Sequence, residues 1–64
     1  MIGGAVRQRR LELQMGQSEL AAKAGTTLSH IERYETGAWR IPSTTLIRLT
    51  DALQSRLKDF VEAI

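Results

Sequence analysis

The 64-residue sequence predicts an all-α domain built from five short helices. Apolar residues recur at three- and four-residue spacing, the period of an amphipathic helix, and no segment alternates as a strand would. Glycine or proline separates several of these apolar segments, so each helix is short and its connections are brief. Short connections place consecutive helices side by side, and we therefore expect one compact domain over residues 1–64.

The first helix is predicted over residues 2–14. Gly3 and Gly4 lie in its first turn, where their conformational freedom predicts a frayed end. Gly16 then interrupts the helical pattern. The face that repeats at helical spacing consists of Ile2, Val6, Arg10 and Leu13. One charged residue, Arg10, therefore falls on an otherwise apolar stripe.

Two further helices are predicted on either side of Gly25. The earlier one covers residues 17–24, and Gly25 ends it because glycine readily adopts the left-handed conformation of a C-cap. The later one follows Thr27, a favourable N-cap residue, and ends at Glu35. The inward residues of this pair of helices are Leu20, Ala21, Ala24, Ile31 and Tyr34.

A loop with the sequence TGAWRIP precedes the last two helices. Pro42 and Ser43 open the fourth helix, and Ser55 is predicted to cap the fifth. Their apolar residues are Leu46, Leu49, Leu53, Leu57, Phe60, Val61 and Ile64. The last three of these either close the core or form an exposed association surface, and the pattern does not separate the two.

Composition excludes several classes of function. The chain has no cysteine and one histidine, His30, which argues against disulfides and metal centres, and we expect no cofactor. His30 is also the single general-base candidate, so enzymatic activity is the least expected class. The apolar runs are too short to span a bilayer, and the first charges follow the N-terminal apolar residues, unlike a secretory signal. We expect a cytoplasmic protein.

The segment 17–36 joins two helices of about two turns each through the sequence AGTT. This is a helix-turn-helix arrangement, whose second helix lies in the major groove of DNA. Ala21 allows the helices to approach, Gly25 permits the turn, and Ile31 fills the angle between them. The residues left outward on the second helix are Leu28, Ser29, Glu32 and Arg33. Such positions on a recognition helix meet base edges.

The segment also has the spacing QxELAxKxGTTxxxIExxExG. Other matching residues extend over nearly the whole chain: Val6, Arg10, Leu13, Pro42, Ala52 and Leu53. Together they resemble the Cro/C1-type helix-turn-helix family, specifically the N-terminal DNA-binding domain of lambdoid phage repressors. The resemblance implies a five-helix lambda-repressor-like fold. It also implies binding to a near-palindromic duplex operator as a homodimer.

The resemblance implies roles for individual residues. Gln17 matches a phosphate contact at the start of the second helix, and Thr36 and Arg40 match contacts to the DNA backbone. Arg10 and Glu35 match a partly buried ion pair. The positions that face DNA from the recognition helix are Thr27, Leu28, Ser29 and Arg33. With Glu32, these residues complete the predicted DNA-binding set.

The sequence departs from the family pattern at four positions. Gly16 replaces a side-chain N-cap, Leu28 replaces a polar base-reading residue, Gln54 replaces a glycine, and Ser55 replaces an apolar residue. Leu28 and Gly16, with a net charge of only +2, support an alternative: a designed or drifted copy of the fold with little DNA affinity. A second alternative is a protein-interaction module such as the dimerising half of an antitoxin.

Three cationic or aromatic residues outside the predicted site have competing interpretations. Arg7 and Arg9 either form a DNA-facing patch or belong to a solvated helix face, and we favour the solvated face. Trp39 either binds a partner, folds back onto the apolar end of the fourth helix, or lies at a homodimer contact. The sequence leaves these three interpretations of Trp39 open. We expect a protein that is monomeric or weakly associated in solution and that pairs on DNA.

Overall fold

The computed structural model describes residues 2–61, and these residues form five helices and no strand. The helices are α1 (Ile2–Glu12), α2 (Gln17–Ala24), α3 (Leu28–Thr36), α4 (Ser43–Ala52) and α5 (Leu57–Val61). The predicted all-α class is confirmed. α1 is two residues shorter than predicted because Gln14 adopts a left-handed backbone with φ of 55°. Within the described residues, no helix is both long and apolar enough to cross a membrane.

The hydrophobic core lies where α1, α2, α3 and α4 converge, and α5 covers one end of it. Its completely buried aliphatic residues are Val6, Leu20, Ile31, Leu49 and Leu53. Phe60 is only 2% exposed, so this residue closes the core instead of forming an association surface. The side chains of Leu57 and Val61, and all of Ile64, lie outside the described part of the chain.

Gly25 ends α2 as predicted, and Gly37 ends α3 in the same way. Gly25 has φ of 70° and Gly37 has φ of 80°, and their N–H groups reach back to carbonyls of α2 and α3. Thr27 caps the start of α3, since its hydroxyl accepts from the His30 N–H at 3.2 Å. α2 has no side-chain cap because Gly16 occupies its N-cap position. The C-cap of α2 at Gly25 and the N-cap of α3 at Thr27 therefore fix the short turn between these helices.

The prediction that Ser55 caps α5 is wrong. Its hydroxyl lies 3.1 Å from the Leu53 carbonyl and accepts from Arg9 Nε at 3.0 Å. The start of α5 is capped instead by Asp59, whose carboxylate accepts from the Arg56 N–H at 3.0 Å.

The favoured interpretation of Arg9 as a solvated residue is also wrong, because Arg9 Nε donates to the Leu53 carbonyl at 3.1 Å. Arg9 thus joins α1 to the α4–α5 connection.

Gly3 is buried against the end of α3, contrary to the expectation that this turn frays. A Cβ atom on Gly3 would lie 2.0 Å from the Tyr34 carbonyl oxygen. That oxygen accepts from the Gly37 N–H at 3.2 Å, so the contact involves the backbone that ends α3. Rigid backbone cannot move aside as a flexible side chain can. The close approach of α1 to α3 therefore requires glycine at position 3.

We predict that Gly3→Ala destabilises the fold by about 1–3 kcal/mol, the usual cost of overpacking. Intrinsic helix propensity favours the opposite result, because alanine is better than glycine by about 1 kcal/mol in a helix. Urea denaturation followed by circular dichroism measures the difference. Gly16→Ser is the control: a Cβ there meets nothing within 4 Å, and a cap is restored, which predicts a gain of a few tenths of a kcal/mol. A Gly3→Ala variant more stable than the parent would contradict the packing argument.

Candidate nucleic-acid interface

The helix-turn-helix segment is anchored by a buried ion pair between α1 and α3. Arg10 Nε donates to Glu35 Oε2 at 2.7 Å, and Arg10 Nη2 donates to Glu35 Oε1 at 3.0 Å. The side chains are 8% and 2% exposed, respectively, so water screens them little. This bidentate geometry is the strongest arrangement of an arginine–carboxylate ion pair. The structure therefore contains the ion pair that the resemblance implies.

The remaining hydrogen bonds of this pair reach the start of α2. Arg10 Nη1 donates to the Met15 carbonyl at 2.9 Å, and Gln17 Nε2 donates to Glu35 Oε1 at 3.0 Å. The hydrogen bond from Arg10 to Glu35 raises the pKa of the guanidinium, burial opposes the rise, and the charge of Glu35 reinforces it. Because the guanidinium pKa is raised, this stabilisation is present at neutral pH, and deprotonation of Arg10 removes it only in strong alkali. One buried cluster thus fixes α1, α2 and α3 together.

The outer face of α3 carries the side chains that the sequence predicts to meet base edges. Leu28, Ser29, Glu32 and Arg33 are all exposed, while Ile31, Tyr34 and Glu35 face the protein. Leu28 is 42% exposed and leaves a methyl-bearing surface at the first turn of α3. A thymine methyl is the matching group on DNA. The face therefore offers one apolar contact beside hydrogen-bonding and charged groups.

The first turn of α3 is held by two threonines that precede it. Thr27 caps the helix as described, and the Thr26 hydroxyl lies 2.9 Å from His30 Nδ1. Thr27 is an exposed residue, and its hydroxyl caps α3. These two side-chain contacts therefore fix the first turn of α3.

Arg33 does not extend freely into solvent. Its Nη1 donates to the Ser29 hydroxyl one turn earlier, and its guanidinium carbon lies 4.7 Å from the centre of the Trp39 ring. Trp39 therefore folds back onto α3, and the interpretation that placed it against α4 is wrong. The indole also lies beside His30, with ring centres 5.3 Å apart, and beside Tyr34, with ring centres 6.4 Å apart.

The three predicted contacts to the DNA backbone have different surroundings. The side-chain amide of Gln17 donates to Glu35, and the main-chain N–H of Gln17, in the uncapped first turn of α2, is available for a phosphate. The Thr36 hydroxyl donates to the Arg33 carbonyl at 3.2 Å. Arg40 is exposed in the loop after α3. Gln17 and Thr36 thus lie at the ends of α2 and α3, Arg40 lies in the loop beyond α3, and Arg7 lies exposed on α1.

Sequence reasoning did not include Trp39, His30 and Thr26 in this site. One local feature of the sequence points to Trp39. Gly37 reverses the chain after α3, so the residue two positions later returns toward Arg33. The N–H groups of Ala38 and Trp39 both donate to the Arg33 carbonyl, at 3.0 and 3.3 Å. Predicting the ring contact from sequence would have required this turn geometry.

Two short helices joined by a tight glycine turn, with the outer face of the second one exposed and ordered, define a helix-turn-helix domain. Comparison with protein families agrees: residues 2–57 match the family described as helix-turn-helix domain, and the chain belongs to it.

Two curated relatives are transcriptional regulators by name. An uncharacterized HTH-type transcriptional regulator, y4aM, from Sinorhizobium fredii (strain NBRC 101917 / NGR234) is 33% identical over 61 residues, covering 95% of this chain and 43% of that protein. An uncharacterized transcriptional regulator in the ATPase CF(0) region of Rhodospirillum rubrum is 38% identical over 52 residues, covering 81% of this chain and 48% of that protein. The chain thus spans less than half the length of these relatives.

Two solved structures share the fold over nearly their full length. SinR, the master regulator for biofilm formation, solved in complex with DNA, is 31% identical with a TM-score of 0.88, covering 95% of this chain and 98% of that one. The P22 c2 repressor, solved with the synthetic operator 9T, is 25% identical with a TM-score of 0.87, covering 94% of this chain and 91% of that one. The present chain is therefore similar to repressor domains of the Cro/C1 type.

We predict that Arg10→Met lowers the free energy of unfolding by about 3–5 kcal/mol, because the Glu35 carboxylate would remain buried without its partner. Arg7→Met, an exposed position on the same helix, is the matched control and should change stability by no more than about 0.5 kcal/mol. Urea denaturation of both variants measures the difference. The double variant Arg10→Met/Glu35→Leu should recover part of the loss. Equal stability of the two single variants would show that the pair is not structural.

Proposed function

We propose that the chain is the DNA-binding domain of a transcriptional regulator of the repressor type, with α3 entering the major groove of duplex DNA. The observation that carries this proposal is the exposed face of α3, where Leu28, Ser29, Glu32 and Arg33 project from a helix whose opposite face is buried. The two similar structures with bound DNA support the same ligand. Duplex DNA is consistent with the cytoplasmic location that the sequence predicts.

The contacts are proposed to divide into two classes. The main-chain N–H of Gln17, together with Thr36 and Arg40, would contact phosphates and supply affinity that does not depend on sequence. Thr27, Leu28, Ser29, Glu32 and Arg33 would face the bases and supply discrimination. The antitoxin-like alternative has no specific observation in its favour. The low-affinity alternative predicts no saturable complex and is decided by the same experiment as the proposal.

The deciding experiment is selection of binding sites from a random duplex pool, followed by anisotropy titrations of the selected duplex over a range of salt concentrations. A DNA-binding domain should give one recurring motif. The logarithm of its affinity should fall linearly with the logarithm of salt, with a slope of about −0.9 per phosphate neutralised. No enriched motif and no saturable complex at low salt would refute the proposal. Arg10→Met, tested where it stays folded, should keep the same motif.

We predict that Arg33→Ala relaxes base preference at one base pair of each half-site. A bidentate arginine–guanine contact contributes about 1–3 kcal/mol of discrimination between base pairs. Arg33 is the single residue on the outer face of α3 with a long side chain that donates hydrogen bonds. Titration against duplexes changed one base pair at a time measures the effect. Arg48→Ala, an exposed arginine on α4, is the matched control and should leave the preference pattern intact. A uniform loss of affinity across all duplexes would show that Arg33 contacts phosphate only.

We predict that the domain is monomeric at micromolar concentration and pairs on a near-palindromic site. An obligate dimer buries roughly 2,000 Å² in total, or about a quarter of the surface of each protomer, and the accessible surface here is 4151 Å². Among the side chains that the structure describes, the exposed large apolar residues lie on four different segments: Leu11, Leu28, Trp39 and Ile47. Half-sites about one helical turn apart, roughly 34 Å, would raise the effective concentration of two copies.

The Cα extents of 25 × 23 × 19 Å allow two protomers to lie side by side at that spacing. Sedimentation of the free protein, and then of the protein with a palindromic duplex, measures association. A tight dimer without DNA would contradict the prediction. One protomer per symmetric duplex at saturation would contradict it as well.

A further inference from the structure

We propose that Trp39 is a positioning residue for base recognition, which acts by holding Arg33 in one conformation on the outer face of α3. The inference rests on the proposed function. It adds a residue from the loop after α3 to the determinants of sequence preference, although Trp39 itself need not touch a base.

The backbone around Gly37 brings the indole to this position. Gly37 ends α3 in the left-handed conformation, and the N–H groups of Ala38 and Trp39 then donate to the Arg33 carbonyl. The same residue, Arg33, thus contacts Trp39 through both its main chain and its side chain. This double contact makes the loop an extension of the recognition helix, so the indole stays in register with Arg33.

The Trp39 ring is held from the protein side by two aromatic neighbours. It lies tilted at 50° to His30 and edge-on to Tyr34, which is itself buried. His30 is fixed in turn by the Thr26 hydroxyl. Although Trp39 is 45% exposed, these contacts restrict the ring on one side and leave the Arg33 guanidinium packed on it. The indole is therefore a firm support and not a free surface side chain.

The geometry leaves Arg33 able to bind a base. A guanidinium carries five N–H donors in a plane, and the Ser29 hydroxyl accepts from Nη1. Stacking on an aromatic ring uses the flat face of the group and not its edge. Most of the donors therefore remain available for the two acceptors of a guanine. An arginine that is already held in place loses less side-chain entropy on binding, which strengthens the contact.

The size of the effect follows from the strength of a cation–π contact. At a partly exposed site such a contact is worth about a two- to fivefold change in an equilibrium constant. Removal of the ring should lower, by about two- to fivefold, the ratio of affinities for the preferred and the mismatched base pair at the position read by Arg33. Duplexes changed at base pairs that Arg33 does not read should keep the same ranking of affinities as with the parent protein. A purely structural role would instead weaken binding to all duplexes equally.

The experiment is a double-mutant cycle on the selected duplex and its single-base-pair variants. Trp39→Leu removes the aromatic face and should lower the discrimination ratio, whereas Trp39→Phe keeps a ring and should restore most of it. In the Arg33→Ala background, Trp39→Leu should leave the ratio unaltered. Ile47→Ala, an exposed apolar residue on α4, is the matched control and should leave it unaltered in either background.

A second measurement needs no DNA. Proton NMR of the free protein should show the Arg33 side-chain methylenes shifted by the indole ring current, and this shift should disappear in Trp39→Leu while the fold persists. An absent shift in the parent protein would overturn the inference, as would an unchanged discrimination ratio in a Trp39→Leu variant that still binds selectively. Failure of the parent protein to bind any duplex would refute the proposed function and the inference with it.

Discussion

The buried contact between Arg10 and Glu35 is the constraint on which the rest of the domain depends. Two charges withdrawn from water are tolerated only while they remain together with satisfied hydrogen bonds. The Arg10 guanidinium also bonds the Met15 carbonyl, and Glu35 also accepts from Gln17, so the cluster meets the start of α2 and the last turn of α3. A different packing of these helices would separate the charges. The pair therefore specifies the angle at which α3 is presented.

Recognition by this domain depends on tertiary structure because α3 is too short to be stable alone. It has nine residues, and isolated helices shorter than about 12 residues are marginal in water. Its first turn is held by Thr26 and Thr27, its last turn by Gly37 and the backbone of Gly3, and its inner face by Ile31. Order on the outer face is thus a product of contacts on the inner face and at both ends.

The sequence predicted the features that depend on local geometry. Gly25 is visible as a helix stop because a positive φ favours glycine, and Arg10 is conspicuous as a charge on an apolar stripe. The inward orientation of the Gln17 amide, the contact of Gly3 with Tyr34, and the Arg9 bonds to the α4–α5 connection depend on distances between segments far apart in the chain. No pattern of spacing along one helix encodes such distances.

The sequence contains a single tryptophan, and the fold places it against the one arginine of the recognition helix. Indole emission responds to nearby cations and to imidazole, and both lie beside this ring; it also responds to the loss of water, and 45% of this side chain is exposed. The domain thus carries an unlabelled optical probe a few ångströms from its proposed binding surface. Binding of DNA at that surface can therefore be followed by stopped-flow fluorescence of the unlabelled protein. No dye is needed near the DNA, and no second tryptophan contributes to the signal.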